Sequence, residues 1–334
     1  MPPALIRRPL TISLWVIVSA LCLVSSPLLL GLAAIVSALS GRPHALILTR
    51  LLLTYFAREL SALAACGALW LLSGCGWLLR RPSFERMHWR LLRWLVGGIS
   101  AVALSRLDIQ VRPQVPDDAA RALQDDRPLI IFSRHAGPGD TLVLVDQLLR
   151  SFGRNPSVVF KEALALDPCV DLIGHRLPHA VLDMENREDA VAQIEKVTRS
   201  LRRRGALLLF PEGGNFTPQR RRAALSHLRR KGKRALARRS ERMSHVMAPK
   251  PAGALAALRA RPGADVVFAA HTGLGLAASP RQLLRDFPLG RTLHIRMWLA
   301  AGNEVPPDPE DQVNWLYGWW ERIDDWIEEQ GRED

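Results

Sequence analysis

The sequence predicts an α/β domain with a mixed, largely parallel sheet flanked by helices, preceded by N-terminal transmembrane or re-entrant helices. From about Leu107, short apolar runs alternate with longer charged stretches of helical character, which is typical of strands and helices that alternate along a chain. Before that point, long apolar runs dominate. We therefore expect membrane-anchoring helices over residues 1–105 and the α/β domain over residues 106–334.

The predicted strands of the α/β domain are short apolar runs bounded by polar residues. They cover Leu107–Val111, Leu129–Ser133, Ser157–Phe160, Ala180–Asp183, Ala206–Phe210, Asp265–Ala270 and Leu293–Leu299. Helices are predicted over Thr141–Phe152, Glu188–Arg203, Arg220–Arg239 and Asp311–Glu329. In a sheet of this type, functional side chains collect just beyond the carboxyl ends of strands. The segments that follow the strands are therefore the first candidates for a site.

Two apolar regions near the N-terminus predict membrane insertion. Leu10–Leu39 contains no charged residue and is longer than the ~20 residues that cross a bilayer. Pro27 lies in its middle and predicts a kink or a re-entrant hairpin. A second apolar run covers Leu60–Leu79, and Arg58 and Glu59 separate it from an apolar piece upstream. A cleaved signal peptide is the alternative for the first run, which is longer than a usual signal core.

Arginines flank both apolar regions and predict their sidedness. Arg7 and Arg8 precede the first run, and a group of arginines follows the second: Arg80, Arg81, Arg86, Arg90 and Arg93. Two spans leave both flanks on one side of an inner membrane, and basic flanks predict the cytoplasmic side for the α/β domain. Trp89 and Trp94, placed among arginines and leucines, predict an interfacial helix that leads into that domain.

The formal net charge of +13 predicts an anionic partner, and the apolar regions favour an anionic membrane surface. Arg220–Arg242 is the most basic segment, with Glu241 as its sole acid. A solvated helix face explains such a segment, and so does contact with lipid headgroups or nucleotide phosphates. Few aromatic residues interleave with these arginines, which argues against nucleic acid. The four cysteines form no close pair, so neither a metal site nor a disulfide framework is expected.

His135 and Asp140 are candidates for an acid–base pair. His135 follows the predicted strand Leu129–Ser133 and precedes a turn rich in Gly and Pro, and Asp140 stands where a helix begins. An aspartate at that place also has a purely structural explanation, because it caps a helix N-terminus. As a pair, the carboxylate would orient the imidazole, and the imidazole would remove a proton from an attacking alcohol.

The segment after the predicted strand Ala206–Phe210 is the second candidate. From Phe210 to Asn215 it reads Phe-Pro-Glu-Gly-Gly-Asn. Proline ends the strand, and the two glycines permit close approach of the backbone to a ligand. Glu212 falls at the edge of the sheet, where a buried carboxylate needs a partner. A turn capped by this glutamate is the structural alternative.

In this order, the two segments resemble the glycerolipid acyltransferase family of 1-acylglycerol-3-phosphate and lysophospholipid acyltransferases. His135 and Asp140 match the family's His-x4-Asp motif, and Phe210–Gly213 matches its Phe-Pro-Glu-Gly motif. Weaker matches to two further motifs cover Leu177–Met184 and Val246–Lys250. The resemblance spans roughly residues 129–258 and is closest to the lysocardiolipin and lysophosphatidylinositol acyltransferase branch.

This resemblance implies a glycerol-3-phosphate acyltransferase-like fold and direct transfer of a fatty acyl group from acyl-CoA to a hydroxyl of a lysophospholipid, in phospholipid synthesis or remodelling. It implies that His135 is the general base and that Asp140 orients it. It implies no metal and no bound cofactor, with acyl-CoA as co-substrate. The implied substrate-binding residues are Arg134, Lys161, Arg187, Phe210, Pro211, Glu212, Gly213, Gly214 and Asn215.

Two positions depart from the family's pattern. Many members carry an arginine in the second motif and another arginine two places after the glycine of Phe-Pro-Glu-Gly, where this chain has Met184 and Asn215. Because a guanidinium holds phosphate in a bidentate manner, this absence favours an acceptor other than lysophosphatidic acid. The alternatives are 1-acylglycerol-3-phosphate acylation, an amphiphilic acceptor outside the glycerolipids, and a non-catalytic, membrane-anchored lipid-binding protein.

Overall fold

The computed structural model describes residues 3–182, 187–273 and 289–333, without the side chains of Pro138, Asp140, Arg187 and Glu333. Its helices are α1 (Ala4–Val24), α2 (Ser26–Ser40), α3 (His44–Leu72), α4 (Pro82–Arg106), α5 (Asp117–Gln124), α6 (Pro138–Asp146), α7 (Pro168–Arg176), α8 (Arg187–Ser200), α9 (Pro218–Arg230), α10 (Arg234–Arg242), α11 (Pro251–Ala260) and α12 (Pro309–Glu333). Its strands are β1 (Gln110–Gln114), β2 (Leu129–Ser133), β3 (Asn155–Lys161), β4 (Ala180–Leu182), β5 (Gly205–Leu209), β6 (Val266–His271) and β7 (Thr292–Ala300). A π-helical turn over Gln147–Ser151 extends α6, and 3₁₀ turns cover Glu162–Leu166 and Gly302–Glu304.

The chain divides into two compact units. The first comprises residues 1–109 and 160–184, and the second comprises residues 110–159 and 185–334. The first unit therefore contains the four N-terminal helices together with a later segment that includes α7 and β4. The predicted boundary between membrane-anchoring helices (residues 1–105) and the α/β domain (residues 106–334) stays a prediction.

The N-terminal apolar helices of the first unit are interrupted where the sequence predicts it. Helix α1 ends before Ser25, and α2 begins with Pro27 in its first turn, so the chain breaks close to the predicted kink. Helices α1 and α3 are long and apolar enough to cross a membrane, whereas α2, with 15 residues, is shorter.

Helix α3 runs through Arg58 and Glu59, the two charged residues that separate the apolar pieces in the sequence. The guanidinium of Arg58 lies 4.7 Å from the centre of the Trp94 ring, and its Nη1 donates to the Trp94 carbonyl at 3.1 Å. Trp94 of the neighbouring α4 thus stabilises the positive charge of Arg58 within α3. Helix α3 ends at Leu72, before the predicted Leu79, in a turn where Gly74 and Gly76 have positive φ.

Ion pairs and hydrogen bonds attach α7 to the N-terminal helices within the first unit. Arg7 Nη2 lies 2.7 Å from Asp171 Oδ1, and Arg8 Nε lies 2.9 Å from Asp171 Oδ2. The Tyr55 hydroxyl donates to the Asp167 carboxylate at the start of α7. The Asp171 side chain is almost completely buried, so these contacts compensate for its desolvation.

The second unit contains a mixed, largely parallel sheet, which confirms the predicted fold class. Its strands are hydrogen-bonded in the order β1-β7-β6-β2-β5-β3. All the described pairs are parallel except β6 with β7. Strands β2, β5 and β6 are buried along their whole length, as their continuous apolar sequences predict. Strand β1 begins at Gln110, three residues later than predicted.

Two helical predictions for the second unit have different outcomes. The single basic helix predicted over Arg220–Arg239 was wrong, because the chain breaks at Gly232, where φ is +70°, and forms α9 and α10. The helix predicted over Asp311–Glu329 is confirmed as α12, whose apolar face packs into the core. Its Trp319 stacks on Phe268 of β6, with the ring centres 4.3 Å apart.

Candidate functional site

The loop after β2 carries His135 to the carboxyl end of the sheet. Strand β2 pairs in parallel with β5, so the segments that follow these two strands meet at the same edge. His135 is half-buried, and its ring lies 4.5 Å from the ring of Phe210, which directly follows β5. The structure therefore brings together the two segments that the sequence singles out.

Hydrogen bonds on both sides hold the main chain of His135. Its N–H donates to Glu212 Oε1 at 3.0 Å, and its carbonyl accepts from the N–H of Phe216 at 2.8 Å. Both partners belong to the loop that follows β5. The position of the imidazole is thus set by the Phe-Pro-Glu-Gly loop rather than by local sequence alone.

Glu212 joins three segments of the chain from a buried position. Its Oε2 accepts from the N–H of Met247 at 3.1 Å, while Oε1 accepts from His135. Burial raises the pKa of Glu212 to about 7, and the Arg134 guanidinium and the two N–H donors act in the opposite direction. This geometry gives Glu212 a positioning function, and its predicted contact with substrate stays a prediction.

Arg134 and His271 connect β2 with β6 beneath the site. The buried guanidinium of Arg134 donates from Nη1 to the carbonyl of His271 and from Nη2 to the carbonyl of His245, the latter at 2.9 Å. His271 Nε2 lies 3.2 Å from the Arg134 carbonyl. Burial, aided by the Arg134 charge, lowers the pKa of His271 to about 3, so this histidine is neutral. A substrate contact of Arg134 stays a prediction, because the described contacts of its guanidinium are with main-chain carbonyls.

Asp324 of α12 is a site-supporting residue that sequence reasoning missed. Its carboxylate accepts hydrogen bonds from the N–H groups of Ser244, His245 and Val246, at 2.9, 2.6 and 3.0 Å. The same segment continues to Met247, which donates to Glu212. A signal existed, since Asp324 interrupts the apolar face of a helix, where a carboxylate needs buried donors.

Several predicted residues lie partly or wholly outside the described part of the structure. Asp140 belongs to the first turn of α6, but its side chain is not described, so the pair with His135 stays a prediction. The same holds for Arg187, the first residue of α8, and Met184 lies outside the described residues altogether. Lys161 is exposed at the end of β3, in the first unit.

The glycines of the second segment lie against two cationic side chains that the sequence prediction did not assign to the site. Gly213 has a φ of +71°, and a Cβ atom there would lie 2.8 Å from Lys250 Nζ. A Cβ atom on Gly214 would lie 3.3 Å from Arg220 Nη1. Arg220 Nη1 also donates to the Asn215 carbonyl at 3.2 Å. Within the described residues, no group of three or more His, Cys, Asp or Glu side chains could hold a metal ion.

Comparison with known proteins agrees with this arrangement. The model of a protein family described as Acyltransferase matches residues 86–252, which is half of the chain. The fold is similar to that of the 1-acyl-sn-glycerophosphate (LPA) acyltransferase PlsC from Thermotoga maritima, with a TM-score of 0.51 and 14% identity over 82% of this chain and 98% of that chain. No curated protein sequence matches significantly.

These findings define the class of the protein as an acyltransferase of mixed α/β fold. The chain belongs to the acyltransferase family, which confirms the resemblance of its motifs to the glycerolipid acyltransferases.

Proposed function

We propose that this acyltransferase transfers a fatty acyl group from acyl-CoA to a hydroxyl of a lysophospholipid at a membrane surface. One observation carries the proposal. In a chain of this family, a half-buried histidine stands at the carboxyl end of β2, with its main chain hydrogen-bonded to Glu212 and Phe216 of the loop after β5. The site therefore offers a base that a substrate can reach, on a rigid support.

The proposed reaction uses His135 first as a base and then as an acid. Its imidazole takes the proton of the acceptor hydroxyl while the oxygen attacks the thioester carbonyl, and Asp140 stabilises the resulting imidazolium. The tetrahedral intermediate collapses with cleavage of the carbon–sulfur bond. The leaving thiolate takes the proton from the imidazolium, so that an ester and a free thiol are the products.

The membrane association of the protein is part of the proposal. Helices α1 and α3 are apolar and long enough to span, and a lysophospholipid and a long-chain thioester both enter from a lipid surface. We place the α/β domain on the cytoplasmic side of the inner membrane, with the exposed cations of α9 and α10 on anionic lipid. Glu241 pairs with Arg229, and Glu321 pairs with Arg239 and Arg242, so the remaining exposed cations other than Arg220 form this surface. Sedimentation with vesicles of increasing anionic lipid content tests it.

The test of the proposed activity is a product analysis with purified full-length protein. A mixture of lysophospholipids is incubated with acyl-CoA or, separately, with an acyl thioester of acyl carrier protein, and new diacyl lipids are identified by mass spectrometry. We expect a diacyl phospholipid with acyl-CoA and its loss in a His135→Ala variant. If the variant forms as much product as the wild type, the assigned base is wrong.

A second acceptor is favoured by a specific observation. The fold is similar to that of an enzyme whose name specifies 1-acyl-sn-glycerophosphate, so lysophosphatidic acid belongs in the same acceptor panel. Preferential acylation of this phosphomonoester would replace the diester lysophospholipid in our proposal. A protein that binds lysolipids but consumes no thioester of either kind would be a lipid-binding protein instead.

A further inference from the structure

The second segment carries a feature that the family motifs do not explain. In the loop Gly213–Asn215, the ammonium of Lys250 lies next to Gly213, and the guanidinium of Arg220 lies next to Gly214 and the Asn215 carbonyl. The two glycines that face these cations are adjacent in sequence, so both charges border the same short turn. In this chain, Asn215 occupies the position where many family members carry an arginine.

The left-handed φ of Gly213 favours glycine at that position, and Lys250 and Arg220 fill the space that side chains on Gly213 and Gly214 would enter. A Cβ atom on Gly213 would lie 2.8 Å from Lys250 Nζ, which is too close, and φ at this residue is left-handed. A Cβ atom on Gly214 would meet Arg220 Nη1 at 3.3 Å, which is a tight contact. Absence of side chains at these two positions thus lets both cations approach the backbone of the turn.

The framework of the site fixes both cationic residues at their main chains. The N–H of Lys250 donates to the Pro211 carbonyl at 2.8 Å, and Met247, three residues earlier, is bound to Glu212. The N–H of Arg220 donates to the Thr217 hydroxyl at 3.1 Å, which caps α9. The loop after β5 that is hydrogen-bonded to His135 is therefore also hydrogen-bonded to the main chains of both cationic residues.

The same turn offers main-chain donors. Within the described part of the chain, no residue accepts a hydrogen bond from the N–H of Gly214 or from that of Asn215. A half-buried turn with these two N–H groups, next to two cations, matches the requirements of a phosphoryl group, which accepts several hydrogen bonds and carries negative charge.

Resting on the proposed function, we propose that Lys250 and Arg220 bind the phosphate of the acceptor lipid across the Gly213–Gly214 turn. They replace the guanidinium that is missing at Asn215 and act as specificity residues for a phosphate-bearing acceptor. The Phe-Pro-Glu-Gly loop contacts His135 directly, so its ligand lies close to the reacting hydroxyl. A lysophospholipid has its phosphate only a few bonds from that hydroxyl, whereas a long pantetheine arm separates the phosphates of acyl-CoA from the thioester.

The kinetic test compares acceptors with and without phosphate. Lys250→Ala, Arg220→Ala and the double variant are assayed with a lysophospholipid and with the monoacylglycerol of the same acyl chain. We expect the KM for the lysophospholipid to rise roughly tenfold with each cation removed, because a charge-assisted hydrogen bond contributes about that factor. The KM values for monoacylglycerol and acyl-CoA should not change, and Lys250→Arg should restore most of the loss. Lys196→Ala and Arg203→Ala, which remove exposed cations elsewhere in the second unit, serve as matched controls.

Each other outcome of this comparison overturns the assignment. A rise in the KM for acyl-CoA instead would identify donor phosphates as the ligand, and an equal loss with both acceptors would show a structural effect.

A binding measurement separates this inference from the proposed function. Two proteins are compared: the His135→Ala variant, and the same variant with Lys250→Ala and Arg220→Ala added. For each, we measure equilibrium binding of radiolabelled lysophosphatidic acid below its micellar concentration. Binding that is at least tenfold weaker in the double variant supports the phosphate site even if no acylation is detected. Equal binding refutes the site even if the wild type is an active acyltransferase.

Discussion

His135 lies just after strand β2, and His271 is the last residue of the neighbouring strand β6. The two histidines differ in how far they are buried. His135 is half-buried, with one face of its ring against Phe210. His271 is 2% exposed, its pKa is lowered to about 3, and its ring nitrogen lies against the Arg134 carbonyl. A base must be reached by its substrate and must accept a proton. The comparison teaches that burial separates a histidine that a substrate can reach, as proposed for His135, from one that only supports the structure.

The largest expected effect comes from His135→Ala. Loss of a general base lowers kcat by about 10²–10⁴-fold, while a half-buried side chain contributes little to folding. Steady-state kinetics with the best acceptor, together with thermal unfolding in detergent, measure the two quantities. His227→Ala, which removes an exposed histidine on α9, is the matched control and should keep full activity. A similar loss in both variants would remove the distinction between the two kinds of histidine.

His271→Ala should give the opposite pattern. This change leaves a cavity beneath the site and leaves the Arg134 carbonyl with the Ser133 hydroxyl but without the His271 ring, so the free energy of unfolding should fall by about 2–3 kcal/mol. Chemical denaturation followed by tryptophan fluorescence measures this loss. Activity per folded molecule should fall far less than in His135→Ala. An inactive but fully stable His271→Ala protein would contradict the structural assignment.

Asp324→Asn tests how far α12 stabilises the segment Ser244–Val246, which lies next to the site. An amide cannot accept from all three N–H groups of Ser244, His245 and Val246, so the variant should lose about 1–3 kcal/mol of unfolding free energy. Asp325→Asn is the matched control. Residue 325 is exposed, and its carboxyl pKa is raised by the partial burial of that group and then by repulsion from neighbouring acids. Neutralising it should leave stability unchanged or slightly higher, and an equal loss in both variants would refute the specific function of Asp324.

Much of the fold follows from local patterns, and its exceptions have tertiary causes. Strand β2 has its predicted bounds, because a continuous apolar run is buried on both faces. Arg58 interrupts the apolar sequence of α3, and its contact with Trp94 of α4 accommodates its charge within the helix. The break at Gly232 escaped prediction because uniformly basic residues on both sides gave no change of pattern.

The site was predictable in its motifs and not in its connections. His135 and Phe210 were identified because each follows an apolar strand. The carboxylate that holds His135 belongs to a residue 77 positions later in the chain, and nothing local specifies that contact. Lys250 and Arg220 were hidden in the same way, one in a weak motif and the other in a basic helix. Contacts of this kind depend on strand order, which periodicity does not determine.

The smallest expected effect is a pH dependence of stability caused by Glu212, which is hydrogen-bonded to the main chains of His135 and Met247. Its pKa is raised to about 7 in the folded protein, whereas an unfolded carboxyl titrates near its ordinary value of about 4.5. Between these values the folded state binds a proton that the unfolded state has released, so the contribution of Glu212 to stability falls as pH rises through this window. The slope is at most about 1.4 kcal/mol per pH unit.

Glu212→Gln removes this titration. Its own cost is about 1–3 kcal/mol, because the amide cannot accept from both the His135 and the Met247 N–H groups. The stability advantage of the wild type over the variant should therefore shrink between pH 5 and pH 8, measured by chemical denaturation in one detergent. Glu188→Gln, at an exposed position of α8, should show no such change. An advantage that stays constant with pH would mean that the two N–H donors keep Glu212 ionised throughout. In that case Glu212 would hold His135 as a carboxylate across this pH range. The stability of the loop that carries His135 would then depend on pH no more than that of the buried residues around His271.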